Sequence, residues 1–191
     1  MEQLLRQRAE SIWTAAIRSV LPDEAVRRAL EHFHPQRRVF LVAAGKAAWQ
    51  MAHAALAVLG RVDGGIVITK YGHVRGPLPG VTCCEAGHPV PDDNSFAATQ
   101  RALALVSGLR ADDTVLFLIS GGGSALFEKP LLPAEELQAI THALLACGAD
   151  IVEINTIRKR LSAVKGGRFA LACAPAAVYS VVLSDILGDP L

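Results

Sequence analysis

Three consecutive glycines between two serines carry the strongest chemical signal in this sequence. They follow the apolar run from Thr114 to Ile119, which is too short for a helix. Glycine in regular structure costs about 0.5 to 1 kcal/mol relative to alanine, so three together indicate positive φ angles or a ligand close to the backbone. We therefore predict a buried strand that ends in a phosphate- or carboxylate-binding turn, or, as the alternative, a tight turn with glycines needed only for packing. The residues of this glycine turn are Ser120, Gly121, Gly122, Gly123 and Ser124.

A lysine and two aspartates could act on a phosphoryl group near this turn. Lys46 follows Gly45 after another short apolar run, where a compact cation can neutralise charge on a transferring phosphoryl group. Asp185 and Asp189 follow the last apolar run, and Mg²⁺ prefers one or two carboxylates plus substrate oxygens. We predict all three as catalytic residues, with the aspartates as metal ligands. The alternatives are a solvated lysine and a turn built on Asp and Gly.

The segment 155–167 is basic and polar, with the sequence Asn-Thr-Ile-Arg-Lys-Arg-Leu-Ser-Ala-Val-Lys-Gly-Gly. Helical spacing would place Arg158, Ser162 and Lys165 on one face, which suits an anionic substrate; a merely exposed basic helix is the alternative. The histidines include His73 and His88 in glycine-flanked loops. Because no H-E-x-x-H motif or facing acid pair accompanies them, no histidine base is predicted.

Several common nucleotide and hydrolase motifs are absent. No G-x-x-x-x-G-K-[ST] spacing occurs at the glycine turn, so a Walker-type loop is excluded. A dinucleotide-binding fingerprint and a G-x-S-x-G elbow would each need glycine at position 126, where the chain has Leu126.

Short apolar runs alternate with helical patterns along the chain. Strands are predicted over 39–43, 65–69, 81–85, 114–119 and 177–183, and the first two helices, before residue 34, should lie against the outside of the sheet. This alternation predicts a Rossmann-like three-layer α/β/α sandwich with a mostly parallel sheet. Ligands of such sheets bind at the carboxyl ends of the strands, so four clusters should lie at one edge: Gly45-Lys46, Thr69-Lys70, the glycine turn, and Asp185 with Asp189.

Composition excludes several classes of protein. Of 191 residues 51% are hydrophobic, the formal net charge is +1, and no basic run interleaved with aromatics suggests nucleic acid as a partner. The apolar stretch 169–183 contains Pro175 and is too short to span a membrane, and the N-terminus lacks the apolar core of a signal peptide, so we expect a cytoplasmic protein. The four cysteines lack metal-ligand spacing and are predicted to be small buried residues.

Five motifs together resemble the amino-terminal domain of type II glycerate kinases, whose carboxy-terminal half is the MOFRL domain. They are Gly45-Lys-Ala-Ala48, Glu85-Ala-Gly-His-Pro-Val-Pro-Asp92, Ser120-Gly-Gly-Gly-Ser-Ala125, the segment 155–167 and Leu183-Ser-Asp-Ile-Leu-Gly-Asp189. The resemblance implies ATP-dependent phosphorylation of D-glycerate to 2-phosphoglycerate, with Mg²⁺, in a cleft between two domains. It also implies Lys46 beside the substrate or the transferring phosphate, a phosphate or carboxylate at the glycine turn, and Asp185 and Asp189 near the floor of the cleft. The cleft would be lined by Asn155, Arg160 and Lys165.

Family members continue well beyond the last of these motifs. We therefore expect residues 1–191 to be an incomplete amino-terminal glycerate kinase domain that lacks the MOFRL domain and is inactive alone, because positioning of the phosphoryl group needs both halves. One alternative is an NAD(P)H-dependent hydroxypyruvate reductase, which the missing nucleotide fingerprint does not support. Another is a non-catalytic module that binds anions or sugar phosphates. Formation of a homodimer is left open.

Overall fold

Five parallel strands form the centre of the molecule. The computed structural model describes residues 2–184. The strands are β1 (Val39–Ala44), β2 (Gly64–Lys70), β3 (Val81–Ala86), β4 (Thr114–Ser120) and β5 (Ala177–Leu183). They lie in the order β3-β2-β1-β4-β5, and every neighbouring pair is parallel. The strand order reverses between β1 and β4, the place where open α/β sheets bind ligands.

Helices cover both faces of this sheet. The helices of the described residues, of which α1 does not reach the sheet, are α1 (Glu2–Ser19), α2 (Pro22–Leu30), α3 (Ala48–Leu59), α4 (Asp93–Leu105), α5 (Gly123–Leu126), α6 (Ala134–Ala146), α7 (Ile151–Arg160) and α8 (Arg168–Cys173). Apolar side chains of α2 and α3 pack with Leu41 and Leu116 on one face. Those of α4, α5 and α8 pack with Val42 and Val115 on the other. The predicted three-layer α/β/α sandwich with a parallel sheet is confirmed.

Burial on both faces explains why the central strands are continuous apolar runs. All six residues of β1 are buried, because α3 and α4 cover its two sides. Helix α4 begins with a capping box in which the Asp92 carboxylate accepts from the Ser95 N–H and the Ser95 hydroxyl oxygen accepts from the Asp92 N–H. The cap fixes the chain that leaves β3, at the ligand-binding edge.

Three expectations from the sequence are wrong. Helix α1 does not lie on the sheet: none of its residues is buried, and Ile12 and Trp13 are exposed, because α2 and α3 already cover that face. The basic helix ends at Arg160, so Ser162 and Lys165 do not share a helical face with Arg158. Among the cysteines Cys173 is buried and Cys83 and Cys84 are partly buried, but Cys147 is exposed at the end of α6.

No helix within residues 2–184 is long and apolar enough to cross a membrane.

Candidate active site

The turns that follow β1 and β4 are joined by hydrogen bonds. The Lys46 N–H donates to the Gly121 carbonyl at 2.9 Å, and the Ala47 N–H donates to the Ser120 hydroxyl oxygen at 3.0 Å. Gly45 makes this approach possible: its φ is +127°, and a Cβ there would overlap the Ser120 hydroxyl. The structure therefore brings Lys46 and the glycine turn together at the point where the strand order reverses.

The centre of the glycine turn also accommodates His88, which follows β3. Gly122 has a left-handed φ of 85°. A Cβ there would lie 2.8 Å from both Cδ2 and Nε2 of His88 and 3.3 Å from Cγ of Lys46. Only a glycine at position 122 lets the lysine and the imidazole approach the turn this closely.

Side chains at the end of β2 and in the loop after it hold the backbone of Lys46 in place. The Lys46 carbonyl accepts from the buried Thr69 hydroxyl at 3.4 Å, and Nδ1 of His73 lies 3.0 Å from the same oxygen. Lys70 ends β2 at this edge. The ends of β1, β2, β3 and β4 thus all supply polar groups to one site.

The glycine turn has N–H groups available for an anion. Within residues 2–184, the N–H groups of Gly122, Gly123 and Ser124 donate to no acceptor. The helix that follows, α5, is only four residues long, so its dipole adds less than a long helix would. Anion binding here would depend mainly on the N–H groups and on nearby side chains.

Lys165 holds the far side of the turn through a buried ion pair. Its Nζ lies 2.6 Å from Oε2 of Glu128, which is 2% exposed, and donates to the carbonyls of Ser124 and Phe127 at 2.8 and 3.1 Å. Burial lowers the pKa of the Lys165 ammonium, and the Glu128 carboxylate opposes that shift. The charge of Lys165 is therefore engaged by the protein itself.

A cavity of about 410 Å³ lies beside the turn, against α7. Its floor is apolar, with Phe117 and Ile119 of β4, and Asn155, Arg158 and Lys165 contribute polar groups. Arg160 does not line this cavity; its carbonyl accepts from the Arg168 guanidinium at 2.9 Å. Of the residues predicted for the cleft, the structure brings Asn155 and Lys165 to this cavity but not Arg160.

The two predicted metal ligands, Asp185 and Asp189, lie outside the described residues. Among residues 2–184, no group of three or more His, Cys, Asp or Glu side chains is placed to hold a metal ion. A Mg²⁺ site therefore has no candidate ligand cluster in the described part of the chain.

Sequence reasoning did not select two residues that the structure places at the site. They are His88, which no catalytic motif accompanies, and Glu128, which belongs to none of the motifs in the sequence. Position after the third strand was the available signal for His88, because the carboxyl ends of parallel strands share one edge. No local signal marks Glu128, because its partner Lys165 is distant in sequence.

Comparisons with known proteins agree with this architecture. The family model described as "Domain of unknown function (DUF4147)" matches residues 8–191. D-glycerate 2-kinase of Thermotoga maritima is 54% identical over 98% of this chain and 45% of its own length. A putative hydroxypyruvate reductase of Agrobacterium vitis is 44% identical over 96% of this chain and 42% of its own length. The crystal structure of glycerate kinase from Thermotoga maritima superposes with a TM-score of 0.92 at 53% identity, covering 98% of this chain and 46% of that one. The chain spans less than half the length of these relatives.

Proposed function

Because the chain belongs to the DUF4147 family, the amino-terminal domain of glycerate kinases, we propose that the protein transfers the γ-phosphoryl group of ATP to D-glycerate, giving 2-phosphoglycerate. We propose further that residues 1–191 form the amino-terminal domain of a cytoplasmic enzyme that is completed by a carboxy-terminal MOFRL domain. The length of the relatives, more than twice the part matched here, supports this division.

The observation that carries the proposal is the contact between Lys46 and the glycine turn. Phosphoryl transfer requires positive charge and N–H donors around oxygens that share developing negative charge. Lys46 lies against Gly122, and three N–H groups of the turn remain available within the described residues. In our proposal these donors bind the transferring phosphoryl group, and Lys46 neutralises its charge.

The remaining candidate residues have different parts in this proposal. Asn155 at the cavity is assigned to the substrate or the nucleotide, and Lys165 to holding the turn, since Glu128 and two carbonyls already engage it. Arg160 would act only if a ligand extended beyond the cavity. Asp185 and Asp189 would hold Mg²⁺, which supplies positive charge to the phosphate oxygens when bound.

Lys46→Met tests the proposal in protein expressed from its complete reading frame. With ATP and D-glycerate, the variant should lose roughly 100-fold or more in kcat, as when a preorganised charge is removed from a transition state. Phosphorus NMR of the product identifies the hydroxyl that is phosphorylated. Lys129→Met is the matched control and should keep wild-type kcat. No glycerate-dependent formation of ADP by the wild type would refute the function, and full activity of Lys46→Met would refute the role of Lys46.

The name of the Agrobacterium vitis relative favours a second candidate, reduction of hydroxypyruvate by NAD(P)H. Loss of nicotinamide absorbance on mixing hydroxypyruvate, NAD(P)H and protein would support it over the kinase. A third candidate is binding of anions or sugar phosphates without turnover. Calorimetry that detects glycerate binding by a protein with neither activity would support that one.

A further inference from the structure

His88 is placed at the glycine turn but has no part in the function proposed above. The Cδ2–Nε2 edge of its ring lies against Gly122, close to Lys46. Within residues 2–184 its ring nitrogens make no hydrogen bond, and the side chain is only partly buried. A buried or structural histidine would normally have a partner for each nitrogen. Within the described part of the chain, the His88 nitrogens are therefore not committed to a protein partner, and Nε2 lies against the centre of the glycine turn.

The segment that carries His88 is held from both ends. Before it, Glu85 at the end of β3 accepts from the Val74 N–H at 2.9 Å. After it, the Asp92 carboxylate caps α4 and also accepts from the Tyr71 hydroxyl at 2.7 Å. These bonds fix the His88 segment to the loop after β2. The position of the imidazole beside the turn is therefore set by the fold.

The surroundings disfavour the charged form of the imidazole. Burial lowers the pKa of His88, and the positive charges of Lys46 and Lys70, from the turn after β1 and the end of β2, lower it further. The nearby carboxylate on the same segment, that of Asp92, accepts hydrogen bonds from the Tyr71 hydroxyl and the Ser95 N–H. A histidine that is neutral at neutral pH has a lone pair with which to accept a proton.

His73, the other histidine nearby, is less suited to that task. Its Nδ1 already lies 3.0 Å from the Lys46 carbonyl, and its contact is with the backbone rather than with the glycine turn. His88 is the histidine whose ring edge reaches the centre of the turn.

We propose that Nε2 of His88 accepts the proton of the glycerate hydroxyl as that oxygen attacks the γ-phosphorus of ATP. The O–H bond breaks toward Nε2, a new O–P bond forms, and the bond from the γ-phosphorus to its bridging oxygen breaks. ADP leaves with that electron pair, and the imidazolium then returns its proton to water. This role rests on the proposed kinase function and adds the proton acceptor that it lacks.

Two substitutions of His88 distinguish proton transfer from hydrogen bonding. His88→Gln keeps a polar group near the position of Nε2 but cannot take the proton, so kcat should fall between about 100- and 10,000-fold with little change in KM. In His88→Ala, kcat should fall by a similar factor and should recover when imidazole is added to the assay. His32→Gln, far from the glycine turn at the opposite edge of the sheet, is the matched control and should keep wild-type kcat.

The pH dependence gives an independent readout. In the wild type, kcat/KM should rise with pH through a group that titrates below the ordinary histidine value, and this rise should be absent from His88→Gln. Full kcat in a folded His88→Gln variant would overturn the proposal. So would a wild-type profile without that rise, which decides the matter even if the variants do not fold. A wild type without ATP-dependent phosphorylation of glycerate would instead refute the function itself.

Discussion

A lysine approaches the glycine turn from each side, and the two lysines have different surroundings. On the side of β1, Lys46 lies with Lys70 near His88, where the two positive charges lower the pKa of the imidazole. On the side of α7, Lys165 is partly buried and paired with the buried Glu128. Gathering like charges costs stability, whereas pairing opposite ones in the interior holds a structure together. The first flank therefore gathers positive charge beside the turn, whereas the second is a clamp in which opposite charges are paired.

The clamp should show the largest effect on stability. Lys165→Met leaves the Glu128 carboxylate buried without its partner, so the free energy of unfolding should fall by about 3 to 5 kcal/mol. Urea denaturation of the purified protein measures this. Lys159→Met, the same substitution at an exposed lysine of α7, should change the free energy of unfolding by less than about 0.5 kcal/mol.

A double variant sharpens this test. Adding Glu128→Gln to Lys165→Met removes the uncompensated charge, so it should restore a large part of the lost stability. If Lys165→Met proved no more destabilising than Lys159→Met, the ion pair would not be the clamp, and the contrast between the two flanks would disappear.

Gly122→Ala should have the next largest effect, because His88 and Lys46 pack closely against position 122. A residue with a Cβ pays about 1 to 2 kcal/mol for the left-handed φ alone, and here the Cβ would also press on His88 at 2.8 Å. Overpacking of this kind adds about 1 to 3 kcal/mol. Thermal or urea denaturation gives the total.

Gly72→Ala is the matched control for Gly122→Ala. Its φ of +75° is similar, but no atom lies within 4 Å of the added Cβ. It should therefore show only the conformational cost of about 1 to 2 kcal/mol. Equal losses in the two variants would mean that the turn does not pack against His88 in solution.

The sequence predicts the active flank better than the clamp. Strands β1 and β4 are short apolar runs directly followed by Gly45 and Gly121, and their parallel arrangement brings Lys46 and the glycine turn together by a general rule of α/β sheets. Lys165 and Glu128 are 37 residues apart in sequence, and they meet through a bridge between Pro130 and Ser162 that no periodicity indicates. Lys165 was predicted as a ligand-binding residue because its charge is visible in the sequence and its buried partner is not.

Helix α1 shows a related limit. Its apolar residues recur at helical spacing, which correctly predicts a helix. That spacing does not say which surface the helix covers, and α2 and α3 cover the available face through residues such as Val26 and Met51. Local pattern therefore determines the type of an element, whereas its packing depends on which other elements reach the sheet.

The smallest expected effect concerns the charge near His88. Lys70→Met removes one of the two cations that lower the pKa of His88, so this pKa should rise toward its ordinary value while the fold stays intact. Because a lowered pKa means that the folded state disfavours the imidazolium, the stability contributed by neutral His88 is present above the ordinary histidine pKa and is lost as the pH falls through the lowered one. Removing Lys70 should therefore reduce the loss of stability on the acid side.

NMR titration of the His88 ring, assigned with His88→Gln, measures the change in its pKa, and Lys129→Met serves as the control with no change expected. High salt should reduce the difference between Lys70→Met and the wild type, since screening weakens the same repulsion. An unchanged pKa in Lys70→Met at low salt would show that burial and Lys46 lower the pKa of His88 without a contribution from Lys70.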